Sequence, residues 1–349
     1  MTTAEELIEQ EDGNDDLFNN IELKVDPKQS PLRIDKYVIT HSPLGSRTKV
    51  QAAAKAGSLL VNGDPVKSNY KVRPSDKISL VYPKSQHSAD LTPENIPLDI
   101  VYEDDDLMVV NKPTGLVVHP GVGNINGTLV NALLYHIKDL PGESKERAGL
   151  VHRIDKNTSG LLVVAKSDEA MSHLAKQFFD RTISRRYIAL VWGDFDEDEG
   201  FVEGHIGRDS KNSKNYTVYT RGDYGKHAKT HYKVIERFAY TTLVECKLET
   251  GRTHQIRVHM KHIGHTLFND EKYGGNRILK GTIYSKYKQF VDNAFALCPR
   301  QALHAKSLGF IHPTTGKDMF FESDLPEDMD LVIQKWRNYA QAIFNKNME

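Results

Sequence analysis

The sequence predicts an α+β protein, in which a mixed, largely antiparallel sheet is flanked by helices and preceded by a small basic α/β domain. The chain has 349 residues, more than one hydrophobic core usually serves, so two domains are expected. Strand-like and helix-like segments are interspersed without a regular βαβα alternation and without a glycine-rich phosphate loop. Basic side chains are concentrated in residues 31–84, which carry ten of them against three acidic ones, although the net charge of the chain is −1.

Residues 1–28 predict a disordered acidic tail. Residues 1–30 carry nine acidic and two basic side chains and show no clear hydrophobic period. This start is neither basic nor apolar, so no signal peptide is expected, and no later run approaches the roughly 18 apolar residues of a membrane span. The two cysteines, Cys246 and Cys298, are far apart in sequence, which favours a reducing cytoplasm over a disulfide framework.

Residues 31–84 predict a compact unit of two short helices and a small β-ribbon. LRIDKYVIT places Ile34 and Tyr37 at helical spacing, and RTKVQAAAKAG follows as a second helix. Asn62-Gly63 predicts a tight hairpin turn between short strands. The excess of positive charge favours a module that binds a polyanion, whereas the alternative is a solvated charged surface.

A polar, proline-containing linker is expected at residues 85–97, and a larger domain at residues 98–349. Strand patterns occur in LDIVYEDDDLMVVNKP, GLLVVAK, RRYIALVWG, TLVECKLET and LGFIHP, and helix patterns in TLVNALLYHI, EAMSHLAKQFFD and DMDLVIQKWRNYAQAIF. Residues 195–230 are rich in Gly, Asp and Lys and predict an exposed loop or hairpin.

The stretch VHRIDKNTSG, residues 151–160, places several polar side chains on a loop that runs into a buried strand. Asp155 has basic neighbours in the sequence that would keep it ionised, as a nucleophile or a base requires, although an ordinary ion pair is an alternative. Ser159 lacks the G-x-S-x-G elbow of a hydrolase nucleophile. Thr158 and Ser159 are therefore expected to satisfy loop backbone groups.

A second polar group lies in LETGRTHQIRVHMKHIGH, residues 248–265, where THQIRVHMKHIG predicts a helix. Arg252, His254, Gln255 and Arg257 suit hydrogen bonds to phosphates and base edges. The alternative is a polar helix face in water.

The histidines at positions 259, 262 and 265 raise the question of a metal site. We expect none, because no Cys or acid is interleaved with them and Gly264 would end the helix before His265. In RRYIALVWG, strand alternation places Arg185 and Tyr187 on one face, where they could line a cleft or bury a bonded hydroxyl. The residues alone indicate either an enzyme that acts on nucleic acid or a nucleic-acid-binding factor.

Five segments carry a family resemblance: NKPTGLVVHPG, HRIDKNTSGLLVVAK, RRYIALVWG, GRTHQIRVHMKHIGH with its trailing DEKYGG, and ALHAKSLGFIHP. In this order they resemble the RluA-type pseudouridine synthases, most closely the ribosomal large subunit pseudouridine synthase D group. RIDKYV and SRTKVQAAAKAGSLLVNGDPVK resemble an S4 RNA-binding domain.

The resemblance implies the isomerisation of uridine to pseudouridine in RNA, with ribosomal RNA as the expected partner and with no cofactor and no metal. Asp155 matches the essential aspartate of the family. Arg153 matches the arginine that helps to extrude the target nucleotide, and Tyr187 the tyrosine that stacks on the flipped uracil. Arg257 matches the arginine that pairs with the catalytic carboxylate. Whether the carboxylate attacks C1′ or removes the 2′ proton stays open.

The remaining expectations concern RNA contacts and the state of the protein. Arg252 and His254 are expected to contact RNA beside the catalytic group, and Arg47, Lys49 and Lys55 in the S4-like domain. A cytoplasmic monomer that does not associate with membranes is expected.

Overall fold

A computed structural model describes residues 18–44, 46–83, 91–121, 123–137 and 148–348. Its strands form a four-stranded sheet and a ten-stranded sheet, and helices flank the larger sheet. The structure therefore confirms the predicted fold class, a mixed, largely antiparallel sheet behind a small N-terminal α/β unit.

The N-terminal unit has the expected two helices and ribbon. Its elements are β1 (Phe18–Lys24), α1 (Ile34–His41), α2 (Arg47–Lys55), β2 (Leu59–Val61), β3 (Asp64–Pro65) and β4 (Lys77–Pro83). The strands pair antiparallel in the order β1-β4-β2-β3. The Ser46 side chain caps α2 by accepting from the Lys49 N–H. Asn62 and Gly63 both have positive φ, as the predicted tight turn requires.

Strand β1 corrects the prediction of disorder for residues 1–28. Phe18 and Ile21 are buried, and all seven residues of β1 pair with β4. The acidic composition concealed this strand, because its stabilising partner lies more than 50 residues further along the chain. Residues 1–17 lie outside the described residues, where the prediction of disorder stays a prediction.

The larger sheet is antiparallel except at one described pair. Its strands are β5 (Ile100–Glu103), β6 (Leu107–Lys112), β7 (Ser159–Ala165), β8 (Ser184–Trp192), β9 (Glu199–Arg208), β10 (Tyr216–Tyr219), β11 (Lys226–Arg237), β12 (Thr241–Leu248), β13 (Leu303–Ile311) and β14 (Asp318–Glu322). They follow the order β10-β9-β11-β12-β8-β13-β7-β6-β5, and β14 pairs with β13. The parallel pair is β7 with β13. The hairpin expected within residues 195–230 is confirmed by β9, β10 and the start of β11.

In its described residues the larger unit has five helices: α3 (Leu129–His136), α4 (Asp168–Phe179), α5 (Gln255–His262), α6 (Ser285–Leu297) and α7 (Glu327–Met348). A core containing residues of α3 and α5 covers one face of the central strands, while α4, α6 and α7 contribute to cores on the other face. Helix α4 also contacts β4 and α2 of the N-terminal unit, and Lys55 forms an ion pair with Glu169 there. The sheet thus brings the start of β7, the start of β8 and α5 to one place.

Gly160, at the start of β7, is a position where the fold requires glycine. Its φ is +114°, and a Cβ would lie 2.3 Å from the Ala305 carbonyl oxygen of the parallel strand β13. We expect Gly160→Ala to lower the free energy of unfolding by about 3 kcal/mol, measured by urea denaturation. Gly57→Ala is the control, because that glycine also has positive φ but open space around it, and should cost only about 1 kcal/mol. Equal losses in the two variants would contradict the close approach of β7 and β13.

Candidate active site

One pocket collects residues from three distant parts of the sequence. The loop before β7, the start of β8 and the segment that leads into α5 line it together. Six of the predicted site residues meet there: Arg153, Asp155, Tyr187, Arg252, His254 and Arg257. The structure therefore brings together every residue that was expected near the catalytic group.

Asp155 presents its carboxylate to this pocket with a side chain that is 20% exposed. Oδ2 accepts a hydrogen bond from Arg257 at 2.8 Å, and Oδ1 lies 3.9 Å from His254 Nε2. Burial alone would raise the pKa of Asp155, but the charge that His254 carries when protonated, the charge and hydrogen bond of Arg257 and the charge of Arg153 lower it to about 2. The carboxylate is therefore ionised at neutral pH.

Arg257 is held by a second carboxylate that the sequence did not identify as functional. On α5, its Nε and Nη2 donate to Asp270 Oδ2 and Oδ1 at 2.7 and 2.9 Å, which leaves Nη1 for Asp155. Asp270 is fully buried. Although burial opposes the charge of Arg257, hydrogen bonds and the charges of both carboxylates raise its pKa. The sequence did offer one indication of Asp270, because this residue begins the DEKYGG segment that is part of the family resemblance.

His254 precedes α5 in a left-handed backbone conformation with φ 55°. The helix thus begins at Gln255, so the predicted helical position of Thr253 and His254 is wrong. Tyr273 Oη lies 2.7 Å from His254 Nδ1 and accepts from the Tyr216 N–H. Tyr273 thus holds the ring through Nδ1, and Nε2 is the ring nitrogen that faces Asp155. Burial lowers the pKa of His254 to about 3, so the ring is neutral at pH 7.

Gln255 lines the pocket, but its side-chain amide is bonded within the protein. Its Oε1 accepts from the Thr250 hydroxyl and the Arg252 N–H, and its Nε2 donates to the Lys229 carbonyl. These internal bonds occupy the amide and disfavour the suggestion that Gln255 bonds base edges, which stays a prediction. Arg252 Nε donates to the His227 carbonyl at 2.9 Å while the side chain lines the pocket.

Tyr187 lies on the face of β8 that the alternation predicted. It shares the pocket wall with Arg185, which confirms that this face lines a cleft. Burial raises the pKa of the Tyr187 hydroxyl, so the ring is uncharged. Its aromatic face is suited to contact with a planar base.

Ser159 is a buried structural side chain. Its Oγ is 2.9 Å from His304 Nδ1, and Arg300 donates to it as well. His304 Nε2 contacts the Ser323 hydroxyl instead of an acid, so this Ser–His pair does not form a hydrolase triad. The expectation that Ser159 satisfies loop backbone groups is also wrong, because its partners are side chains on and beside β13.

Two of the three histidines that raised the metal question have partners of their own. His259 Nδ1 contacts the Thr230 hydroxyl, and His265 Nδ1 lies 3.1 Å from the Trp192 carbonyl. Among the described residues, three groups with metal-binding atoms approach one another at Asp104, Asp106 and His312. That cluster belongs to the turn between β5 and β6, where His312 Nε2 already contacts Asp104 at 2.8 Å.

The predicted RNA contacts of the N-terminal unit lie on α2, outside this pocket. Arg47 donates to the buried Asp35, and Lys55 pairs with Glu169 of the larger unit. Lys49 is on the same helix.

Lys112 ties the NKPTG turn to the loop of Asp155. Its fully buried ammonium group donates to the carbonyl oxygens of Pro113, Leu116 and Lys156 at 2.7, 2.9 and 3.0 Å. These three bonds satisfy the group even though burial lowers the pKa of Lys112 to about 7. The lysine therefore fixes the loop of Asp155 to the NKPTG turn.

We expect Lys112→Met to lower the free energy of unfolding by about 3 kcal/mol, because three buried carbonyls lose their donor. The turnover number should fall more than the Michaelis constant rises, because the loop of Asp155 loses an anchor. Urea denaturation and steady-state kinetics measure the two effects. Lys288→Met, at an exposed position of α6, is the control. A Lys112→Met protein as stable as the wild type would contradict a stabilising role for these three hydrogen bonds.

Comparison with known proteins identifies the family. Residues 106–262 match the RNA pseudouridylate synthase family, and residues 32–78 match the S4 domain. An uncharacterized RNA pseudouridine synthase of Bacillus subtilis is 46% identical over 92% of this chain and 99% of its own length. The ribosomal large subunit pseudouridine synthase D of Nitrosomonas europaea is 41% identical, covering 95% of this chain and 92% of that protein.

A solved structure supports the same conclusion. Human RNA pseudouridylate synthase domain containing 4 aligns with a TM-score of 0.51 and 25% identity over 68% of this chain and 92% of its own. In the described ranges, none of the helices has the length and apolar character that a membrane crossing requires. With close relatives along nearly the whole chain, this protein belongs to the RNA pseudouridine synthase family.

Proposed function

We propose that this enzyme converts specific uridines of large-subunit ribosomal RNA to pseudouridine, with Asp155 as the catalytic group. The substrate proposal draws on relatives named ribosomal large subunit pseudouridine synthase D, at 41–45% identity. The observation that carries the catalytic proposal is the ionised Asp155 carboxylate in a recessed pocket, held through Oδ2 by Arg257.

The target nucleotide is proposed to leave its base stack before it reacts. The bond between C1′ and N1 is covered within a stacked RNA, so a recessed carboxylate can reach it only after the base is flipped. Tyr187 would then stack on the uracil, and Arg153 would assist extrusion on the RNA side. Arg252 and His254 line the same pocket, and they would contact the nucleotide that enters.

The reaction changes one glycosidic bond and needs no net oxidant or reductant. The C1′–N1 bond breaks, the uracil turns, and a C1′–C5 bond forms; the proton on C5 is lost and N1 gains one. Oδ1 of Asp155 accepts no hydrogen bond within the described part of the chain. This oxygen is available either to attack C1′ or to remove the 2′ proton, and both routes remain open.

The N-terminal unit is proposed to add affinity for RNA. Residues 31–84 carry ten basic and three acidic side chains, and the match to the S4 domain supports this role. Arg47, Lys49 and Lys55 are the proposed contacts. We propose the same domain division as above, residues 31–84, 85–97 and 98–349, with β1 added to the N-terminal domain.

Mapping of pseudouridines in ribosomal RNA tests the function. A strain that lacks the gene should lose specific pseudouridines of the large subunit, and the wild-type gene should restore them while Asp155→Ala should not. If every pseudouridine remained after deletion, the proposed substrate would be wrong. If Asp155→Ala restored them, the protein would act without this carboxylate.

A further inference from the structure

Arg185 is a buried arginine whose charge has no described partner. It lies on β8 beside Tyr187 in the pocket wall, and its side chain is 6% exposed. Within the described ranges, no hydrogen bond or salt bridge engages its guanidinium group, and Nε is buried without a partner. Arg257 and Arg300 are also buried, but they differ from Arg185 because each binds a carboxylate through two nitrogens.

Among the described residues, no negatively charged group is packed against Arg185. Its guanidinium carbon lies 5.4 Å from the centre of the Phe178 ring. That ring stacks on His152, whose pKa is lowered to about 3 by burial and by the charge of Arg185. Tyr187 is uncharged as well. Arg252, which lines the same pocket, adds a positive charge.

A buried charge without a counter-charge is strongly unfavourable, so a missing anion is indicated. The carbonyl groups of uracil are neutral dipoles and would leave the charge uncompensated. A phosphodiester carries a full negative charge and matches the donor geometry of guanidinium, and RNA supplies one per nucleotide. Arg185 is not among the residues to which the family resemblance gave a role.

We propose that Arg185 forms a phosphate subsite, which binds a phosphodiester flanking the uridine that is delivered to Asp155. The inference rests on the proposed function and adds a substrate contact to it. A phosphate held on β8 fixes the backbone of the flipped nucleotide beside Tyr187, and so fixes its ribose relative to the carboxylate of Asp155.

Thermal denaturation without RNA separates this role from a structural one. Arg185→Met removes an unpaired buried charge and should raise the melting temperature. The control is Arg186→Met, because Arg186 is adjacent on β8 but faces the other way and pairs with Glu245 at 2.8 Å. A lower melting temperature or a failure to fold in Arg185→Met would show that the guanidinium has a structural partner, and would overturn the proposal.

A double-substitution cycle identifies the anion. The probe is a short RNA containing a uridine that the mapping identifies, with one uncharged methylphosphonate linkage 5′ or 3′ to it. The nucleotide bearing that linkage is 2′-deoxy, and a matched RNA has the ordinary phosphate there. For wild type and Arg186→Met, one of the two methylphosphonates should weaken binding about 10- to 100-fold. Arg185→Met should bind both RNAs equally weakly, and Arg185→Lys should recover part of the difference.

If the methylphosphonate at each linkage weakened RNA binding by the same factor in Arg185→Met and in wild type, the proposed phosphate subsite would be wrong. Inorganic phosphate provides a probe that needs no RNA substrate. At matched ionic strength it should raise the melting temperature of wild type and Arg186→Met more than that of Arg185→Met, and an equal rise in all three would also overturn the subsite. These results are distinct from a failure of the proposed function, in which the wild-type enzyme would isomerise no uridine.

Discussion

The Asp155→Asn variant should fold normally and lose activity by about 10⁴-fold or more. The amide preserves the shape of the side chain but removes the charge that either route of catalysis needs. Arg257 stays paired with the buried Asp270, so no buried cation is left alone, and the free energy of unfolding should change by about 1 kcal/mol or less. Tritium release from RNA labelled at C5 of uridine measures the rate, and urea denaturation the stability.

The control for Asp155→Asn is Asp292→Asn on α6, where the exposed carboxylate contacts only Lys288 among the described groups. It should retain full activity. An Asp155→Asn enzyme with more than a tenth of the wild-type rate would contradict a catalytic role for the carboxylate.

The pH dependence of the wild-type enzyme follows from the same carboxylate. Because the folded-state pKa of Asp155 is about 2, below the ordinary 3.8, its stabilising contribution is present above about pH 4. That contribution disappears as the pH falls through 2. Between pH 5 and 8 the carboxylate stays ionised, so its protonation should produce no acid limb in the rate of the free enzyme.

The sequence predicted which residues would lie together because the residues that line the pocket are concentrated in short motifs. Asp155 lies on the loop that precedes β7, and Tyr187 lies near the start of β8, so their positions follow from the strand patterns and the family motifs. Arg257 followed from the same motifs, yet its pairing with Asp270 did not. That carboxylate lies in a loop, and a single sequence gives no direct signal for a partner 13 positions away.

The fold was predicted best where periodicity is strong. Helix α6 and strand β14 were missed for different reasons. In α6 the buried positions Tyr287, Val291 and Ala294 have helical spacing, but charged and polar residues surround them. In β14, Phe320 is exposed, and the strand is defined by its pairing with β13. Strand β1 shows the same dependence on a distant partner, because β4 supplies its hydrogen bonds.

The Asp270→Asn variant should have the second-largest effect, although Asp270 does not face the pocket. Loss of its charge breaks the buried pair with Arg257, which should lower the free energy of unfolding by about 3 kcal/mol. Arg257 would also lose the two bonds that orient it toward Asp155. Misplacement of a positioning group by about 1 Å can cost about 100-fold in rate, so we expect the turnover number to fall by about 10- to 100-fold with a smaller change in the Michaelis constant.

The bidentate pair of Glu236 with Arg337 is the control for Asp270→Asn. It has the same geometry on an exposed surface, with 34% and 41% exposure of the two side chains. Glu236→Gln should therefore cost about 1 kcal/mol or less and leave the rate unchanged. An Asp270→Asn enzyme with wild-type kinetics would show that Arg257 needs no second carboxylate.

A double variant distinguishes positioning from stability. Replacement of a buried ion pair by apolar side chains is often neutral or stabilising, whereas removal of one partner leaves a buried charge. Arg257→Met with Asp270→Leu should therefore recover most of the stability that Asp270→Asn loses. Activity should not recover, because Asp155 then has no guanidinium to hold Oδ2. If activity returned with stability, the pair would serve only the fold. A stable, inactive double variant would show that activity needs the guanidinium of Arg257 and not only a stable fold.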